Sequence, residues 1–216
     1  MKKSIIVLAG SDKTLWPSMN IFDEASHIIG VDRGAYEGVR HGLSIDMAVG
    51  DFDSLSPEEL SYVKKHVEKV TQYPAEKDET DTEIGISVAS ELSDDAKIIL
   101  IGGTGGRLDH FLANLWLPCQ ERFKTIATRF VIKDNQNTIS YFFPGEYTIK
   151  KESDKKYLAF VCLTPMTHLS LYDAKYQLDD VEVLQPTSYA SNEFVSGTTR
   201  FSFASGLMCV IQSKDK

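Results

Sequence analysis

Lys97-Ile98-Ile99-Leu100-Ile101-Gly102-Gly103-Thr104-Gly105-Gly106-Arg107-Leu108-Asp109-His110 carries an apolar run straight into a glycine-rich turn. The run reads as a strand buried on both faces. Beyond the turn, Phe111, Leu112, Leu115 and Trp116 recur at helical spacing, which places Trp116 in the core. A strand that passes through glycines into a helix is one β–α unit of a parallel sheet. The same rhythm extends on both sides, with apolar runs at residues 4–9, 27–31, 47–49 and 130–132. Ser56-Pro57-Glu58-Glu59 is a capping box with proline at the first helical position, and Leu60, Val63 and Val67 continue it as an apolar stripe. Ile84, Val88 and Leu92 mark another helix. Alternation of this kind predicts a parallel-sheet α/β domain over residues 1–135.

After about residue 138 the rhythm changes to short β runs at 138–143, 147–149, 157–161, 169–172, 199–203 and 208–211. Pro144-Gly145 and Ser205-Gly206 are turn signals. These predict a small antiparallel β-sandwich over residues 138–216. No internal repeat or low-complexity tract interrupts either half.

Composition narrows the function classes. Acidic residues number 31 against 23 basic ones, a formal charge of −8, which argues against a nucleic-acid surface. A polyanionic substrate would need local cations or a metal to meet this field. No apolar run approaches the roughly 18 residues of a membrane span. Met1-Lys2-Lys3-Ser4 leads into a short apolar run with Asp12 close behind, which reads as a first strand and not a signal peptide. Cys119, Cys162 and Cys209 are odd in number, widely spaced and apolar-flanked, as expected of buried free thiols in a reducing cytoplasm.

In α/β sheets ligands collect beyond the carboxyl ends of strands, and each chemically suggestive segment follows such an end. Gly10-Ser11-Asp12 follows the first strand, Asp32-Arg33-Gly34-Ala35 the second and Gly50-Asp51-Phe52-Asp53-Ser54 the third. Read as extended chain, Asp51 and Asp53 share a face. Two charges about 4 Å apart repel by about 4 kcal/mol at an effective dielectric near 20, so such a pair asks for a cation. Oxygen ligands favour Mg²⁺, which also takes substrate phosphates. An Asx-capped turn is the plainer alternative. Lys77-Asp78-Glu79-Thr80-Asp81 opens the next helix, with Asp78 and Asp81 on one side of its first turn. Lys77 reads either as a surface lysine or as a phosphate contact.

The glycine turn lets backbone N–H groups approach an anion closely, and Arg107 adds a guanidinium suited to phosphate. It lacks the Gly-Lys-Ser/Thr of a P-loop and the spacing of a dinucleotide fingerprint. Asp109 suits helix capping, metal binding or orientation of a nucleophile. His110 reads as a packing or supporting residue in preference to a general base.

In order and spacing, Gly50-Asp51-Phe52-Asp53-Ser54, Asp78-x-Thr80-Asp81 and Gly-Gly-x-Gly-Gly-Arg-x-Asp-His, then Ser191-Asn192-Glu193 with Ser196-Gly197, resemble the thiamine pyrophosphokinase family. The resemblance spans nearly the whole chain. It implies an α/β catalytic domain followed by a β-sandwich, and a homodimer whose thiamine site forms between the catalytic domain of one subunit and the sandwich of the other. It also implies Mg²⁺-dependent transfer of pyrophosphate from ATP to the thiamine hydroxyl, leaving AMP. Asp51, Asp53 and Asp81 would hold the metal, and Asp109 would complete the acidic cluster. Asp32, Arg33, Lys77, Asp78, Thr80, Gly103, Gly105, Gly106, Arg107 and His110 would meet ATP. Ser191, Asn192 and Tyr189 would meet thiamine. The rival readings are a pyrophosphokinase acting on a hydroxymethylpterin and a metal-dependent phosphohydrolase.

Two departures stand out. Many relatives read Asp-Gly-Gly-Ala where this chain has Asp32-Arg33-Gly34-Ala35, so Arg33 is either a further phosphate contact or an obstruction. Some relatives stack thiamine on a tryptophan from the sandwich, whereas Trp16 and Trp116 both lie in the first half. That leaves Tyr189, Phe194 or Trp16 for the task.

Overall fold

The computed structural model describes residues 4–10 and 12–215, so Ser11 and the first three residues of the expected leader into strand one lie outside the described residues. Two compact units are present: Met1–Leu117 with Arg129–Asn135, and Pro118–Thr128 with Gln136–Lys216.

The first unit runs β1 (Ser4–Leu8), α1 (Asn20–Asp23), β2 (Ala25–Val31), α2 (Arg33–Arg40), β3 (Met47–Gly50), α3 (Pro57–His66), β4 (Lys69–Gln72), α4 (Asp81–Leu92), β5 (Lys97–Ile101), α5 (Leu108–Trp116) and β6 (Phe130–Lys133). Its strands lie in the order β6-β5-β1-β2-β3-β4 and every pair is parallel. The apolar strands are buried as their composition demands; residues 5–8 of β1 are fully covered. From β1 the chain builds outward through β2, β3 and β4, then returns to the other side for β5 and β6. Strand order therefore reverses beside β1, which opens a crevice at the carboxyl ends of β1, β2 and β5.

Both capping devices are local. Ser56 accepts from the Glu59 N–H while the Glu59 carboxylate accepts from the Ser56 N–H, which starts α3. Thr80 and Glu83 do the same for α4. That second box went unread in the sequence, and it moves the start of α4 to Asp81. Asp78 consequently lies in the preceding loop, exposed, and does not share a helical turn with Asp81. β4 was also unexpected: Lys69-Val70-Thr71-Gln72 is an edge strand, largely exposed, and shows no apolar run.

The second unit is all β: β7 (Asn137–Phe142), β8 (Gly145–Lys150), β9 (Tyr157–Cys162), β10 (Met166–Tyr172), β11 (Leu178–Val183), β12 (Thr187–Glu193), β13 (Thr198–Phe203) and β14 (Met208–Ser213). Two antiparallel sheets, β12-β9-β14-β7 and β11-β10-β13-β8, face each other as a sandwich. Phe160, Leu171, Phe201 and Met208 pack between them. The ring of Phe201 lies 5.1 Å from Phe142, 5.4 Å from Tyr147 and 5.3 Å from Phe160, which makes it the hub of the aromatic core.

Three burial expectations change. Trp116 is half exposed, because it lies along α5 with Leu108 and Leu112 on an outward stripe and not on the sheet side. Trp16 is buried against Phe22 and His41 in the apolar cluster, so it does not offer a free stacking face. Cys162 and Cys209 are buried free thiols, pushed up to about 11 and about 12 by burial, but Cys119 is exposed. No helix among the described residues is long and apolar enough to cross a membrane.

Phe201→Ala should lower the unfolding free energy by about 3–5 kcal/mol, the usual cost of truncating a fully buried phenylalanine. Urea melts would check it, and a loss below about 1 kcal/mol would show that the sheets do not depend on this ring.

Candidate active site

Backbone geometry at the ends of β2 and β3 builds the first part of the site. Asp32 adopts φ 46, in the left-handed region, and turns the chain sharply into α2. Its N–H donates to the Val49 carbonyl at 3.0 Å, and its Oδ1 accepts from the Phe52 N–H at 3.1 Å. Gly50 has φ +146, and a Cβ there would stand 1.9 Å from Asp32 Oδ1. Only glycine lets the two strand ends approach so closely. Phe52, at φ 59, buries its ring in the cluster that holds Leu8, Ala35 and Val63. The Asp53 N–H donates to Asp51 Oδ1 at 3.0 Å. The segment is thus an Asx-capped turn, not the extended chain expected from the sequence, and Asp51 and Asp53 do not share a strand face.

The carboxylates that do converge are Asp32, Asp51 and Asp81, each with an oxygen within 4.8 Å of the others. Asp53 is exposed and stands outside this cluster, so Asp32 takes the place that the sequence reading gave to Asp53. Lys77 Nζ lies 3.2 Å from Asp51 Oδ2 and 3.1 Å from Asp81 Oδ1, and donates to the Pro74 carbonyl at 3.0 Å. Lys77 is therefore neither a free surface lysine nor free to grip phosphate. Asp81 Oδ1 is buried and, despite the nearby ammonium, accepts no aligned hydrogen bond.

Charge follows burial and partners. Burial, opposed by the Phe52 N–H and helped by Asp81, Asp51 and Asp53, raises Asp32 to about 7. The Asp53 N–H holds Asp51 low, against burial and with Lys77 assisting. Burial works to lower Lys77, but the neighbouring Asp81 and Asp51 carboxylates outweigh that and raise it.

Across a cleft of about 940 Å³ from this cluster stands the glycine loop. Gly105 needs its glycine for its φ of +77, and the Leu15 side chain packs against the position a Cβ would take. Gly106 has open space around its α-carbon, leaving its backbone approachable. Thr104 Oγ1 donates to Asp134 Oδ2 at 2.7 Å and Asn114 Nδ2 donates to the Gly103 carbonyl at 3.1 Å, pinning the loop from beneath. Asp134 and Asn114 were not singled out from sequence, although Asp134 follows a strand end just as Asp32 does.

Arg107 and Asp109 pair with each other, both exposed, so Asp109 does not complete the acidic cluster as expected. His110 lines the cleft. Thr80 is occupied as the α4 cap. Arg33 also lines the cleft, but its guanidinium is bound to both Glu59 oxygens at 3.2 Å and to the Ser54 carbonyl.

In the second unit, the expected acceptor residues lie on β12, which bulges between Tyr189 and Asn192. Ser191 sits at φ 59 and is exposed. Asn192 is only 2% exposed and fully engaged: its Oδ1 accepts from the Tyr176 and Glu193 N–H groups, and its Nδ2 donates to the Tyr176 carbonyl. It is a structural tie and not a free ligand contact. Tyr189 and Phe194 pack partly into the sandwich core.

A carboxylate cluster and a glycine loop opening on one cleft of a parallel sheet, with a β-sandwich following in the chain, suit a transferase of the kinase type. Comparison with known proteins gives the family. Residues 18–130 match the model for the thiamin pyrophosphokinase catalytic domain, and residues 146–208 that for the thiamin pyrophosphokinase vitamin B1 binding domain. The chain is 37% identical over 218 residues to thiamine pyrophosphokinase of Bacillus subtilis (strain 168), across 99% of this chain and 100% of that protein. It superposes on a thiamin pyrophosphokinase family protein of Enterococcus faecalis with TM-score 0.96 and 44% identity, covering 99% and 100% of the two chains. A solved protein of Lactobacillus plantarum matches at TM-score 0.89 and 42% identity, with the same coverage. The chain belongs to the thiamine pyrophosphokinase family and is an enzyme.

Because the carboxyl of Asp32 is raised in the folded state, the folded protein holds more protons there than the unfolded chain between pH 3.8 and about 7. Stability from this group is therefore present at low pH and lost as pH rises through that window. Asp32→Asn should raise the melting temperature of the metal-free protein at pH 8, with a much smaller gain at pH 4. An equal gain at both pH values would show that charge at Asp32 is not the cause.

Proposed function

We propose that this enzyme transfers the terminal pyrophosphoryl group of ATP to the hydroxyl of thiamine, with Mg²⁺, giving thiamine diphosphate and AMP. The observation that carries this reading is the convergence of Asp32, Asp51 and Asp81 opposite the glycine loop in one cleft. Their donor set is all oxygen, as Mg²⁺ requires. The buried Asp81 Oδ1, without an aligned donor, supports a cation at this point. We assign the metal to Asp32, Asp51 and Asp81, with exposed Asp53 beside them. When bound, Mg²⁺ neutralises charge on the phosphate oxygens.

The chain's own groups do the positioning on which such transfers mainly depend. Lys77 holds the Asp51 and Asp81 carboxylates in place, 3.2 Å and 3.1 Å from its ammonium. Backbone N–H groups around Gly105 and Gly106 offer donors to the phosphates, with the α5 N-terminus behind them. Arg107 exchanges its exposed partner Asp109 for a phosphate oxygen. The acceptor oxygen bonds to the β-phosphorus as the bridge to the α-phosphate breaks, and the hydroxyl proton passes to a carboxylate or water. For the acceptor we retain Ser191 and Tyr189 as contacts, within a cytoplasmic homodimer, and give Asn192 the role of holding β12.

The test is AMP release from ATP and Mg²⁺ with thiamine or a hydroxymethylpterin supplied side by side. AMP and thiamine diphosphate should appear together only with thiamine. Turnover with the pterin alone would keep the transfer and change the acceptor, and AMP without any acceptor would indicate a phosphohydrolase. Asp81→Asn should lower kcat by about 10²–10³-fold, the scale seen when one preorganised electrostatic group is removed from an active site, with an unchanged circular dichroism spectrum. Near-normal turnover in Asp81→Asn would remove the metal assignment.

A further inference from the structure

Arg33 stands immediately after Asp32, at the first position of α2, and lines the cleft. A guanidinium there invites assignment to phosphate, yet its donors are already directed elsewhere. Nη1 and Nη2 each lie 3.2 Å from one oxygen of Glu59, in the two-pronged geometry that arginine makes with a carboxylate. Nη2 also donates to the Ser54 carbonyl, and Glu37 lies 3.9 Å from Nη1. Glu59 in turn accepts from the Ser56 N–H at 2.9 Å. Three segments therefore meet at one side chain: the Asp32 strand end, the turn from Asp51 to Ser54, and the first turn of α3.

We propose that Arg33 is a positioning residue, which clamps the Asp51 turn against Asp32 and so fixes the spacing of the carboxylate cluster, and that it does not bind phosphate. The turn is held on its buried side by the Phe52 ring and by the Phe52 N–H bond to Asp32. Arg33 supplies the hold on the solvent side, where Asp53 and Ser54 are exposed. Its positive charge is matched by Glu59, with Glu37 close by, which leaves little field for a nucleotide. Lysine would keep the charge and lose the planar fork, so it cannot hold Glu59 by both oxygens and Ser54 together.

This inference rests on the assignment of the metal to Asp32, Asp51 and Asp81. The full chain and its Arg33→Lys, Arg33→Met and Glu59→Gln variants would be compared for Mn²⁺ binding by calorimetry without nucleotide, and for kcat and KM in the thiamine assay. Glutamine preserves the α3 capping box, so Glu59→Gln tests the clamp with that helix start intact. All three variants should weaken Mn²⁺ binding by about 10–100-fold, as loss of an outer support typically does. kcat should fall while KM for ATP stays within about twofold, and Arg33→Met with Glu59→Gln should cost little more than either alone, as expected of residues acting as a unit. If KM for ATP rises in Arg33→Met and Arg33→Lys restores it, Arg33 is a phosphate contact and the clamp is wrong. Variants that match the wild type in Mn²⁺ binding and kcat overturn it as well. A wild-type protein that binds no Mn²⁺ would instead remove the metal assignment beneath it. Should Arg33→Met fail to fold, Arg33→Lys and Glu59→Gln decide the matter.

Discussion

Asp32, Asp51 and Asp81 each bring a carboxylate oxygen within 4.8 Å of the others, and three separate stretches of backbone are shaped to keep them there. At that separation like charges repel by several kcal/mol unless a cation or a proton intervenes. The protein answers with one ammonium, Lys77, placed between Asp51 and Asp81, and with a proton affinity at Asp32 raised to about 7. Left-handed backbone at Asp32 and Phe52, and a glycine at position 50 where no Cβ fits, follow from bringing these groups together. Strain of this sort persists only where surrounding structure over-determines it. The buried Phe52 ring and the Thr80–Glu83 cap are two of the elements that do so.

The parallel sheet was legible because its central strands are buried on both faces and therefore apolar without interruption. β1, β2, β3, β5 and β6 all appear where the apolar runs lie. β4, β11 and β12 escaped notice for the opposite reason. Lys69-Val70-Thr71-Gln72, Leu178-Asp179-Asp180-Val181-Glu182-Val183 and Thr187-Ser188-Tyr189-Ala190-Ser191-Asn192-Glu193 form outer strands of their sheets, where solvent reaches the backbone and no apolar pattern is required. Helical spacing alone misplaced Trp116, since periodicity identifies a stripe but not which stripe faces the sheet.

The site was legible in its location more than in its members. Strand ends pointed to segments that line one cleft, and the glycine loop lies where the reading placed it. Which aspartates meet depended on single backbone angles. Residues i and i+2 share a face only in extended chain, and one left-handed residue, Phe52, breaks that relation. Asp109 was placed with the cluster by the family resemblance, whereas two residues of separation give Arg107 a nearer claim on it. Pairings of this kind are set by side-chain reach.

β12 shows how a motif can sit in the right segment for a different physical reason. Asn192 was read as a ligand contact because Ser191-Asn192-Glu193 resembles a motif of the family. Its amide instead binds both the N–H and the carbonyl of Tyr176, holding the strand to the loop that precedes β11. A buried amide with these bonds made has little capacity left for a ligand. The bulge it stabilises puts Ser191 at φ 59 and interrupts the regular pairing with β9 between Tyr189 and Asn192. Such bulges commonly re-aim side chains and blunt an edge against unwanted strand addition. Asn192 therefore acts through the backbone it holds, and the exposed Ser191 beside it is the group that this backbone presents to solvent.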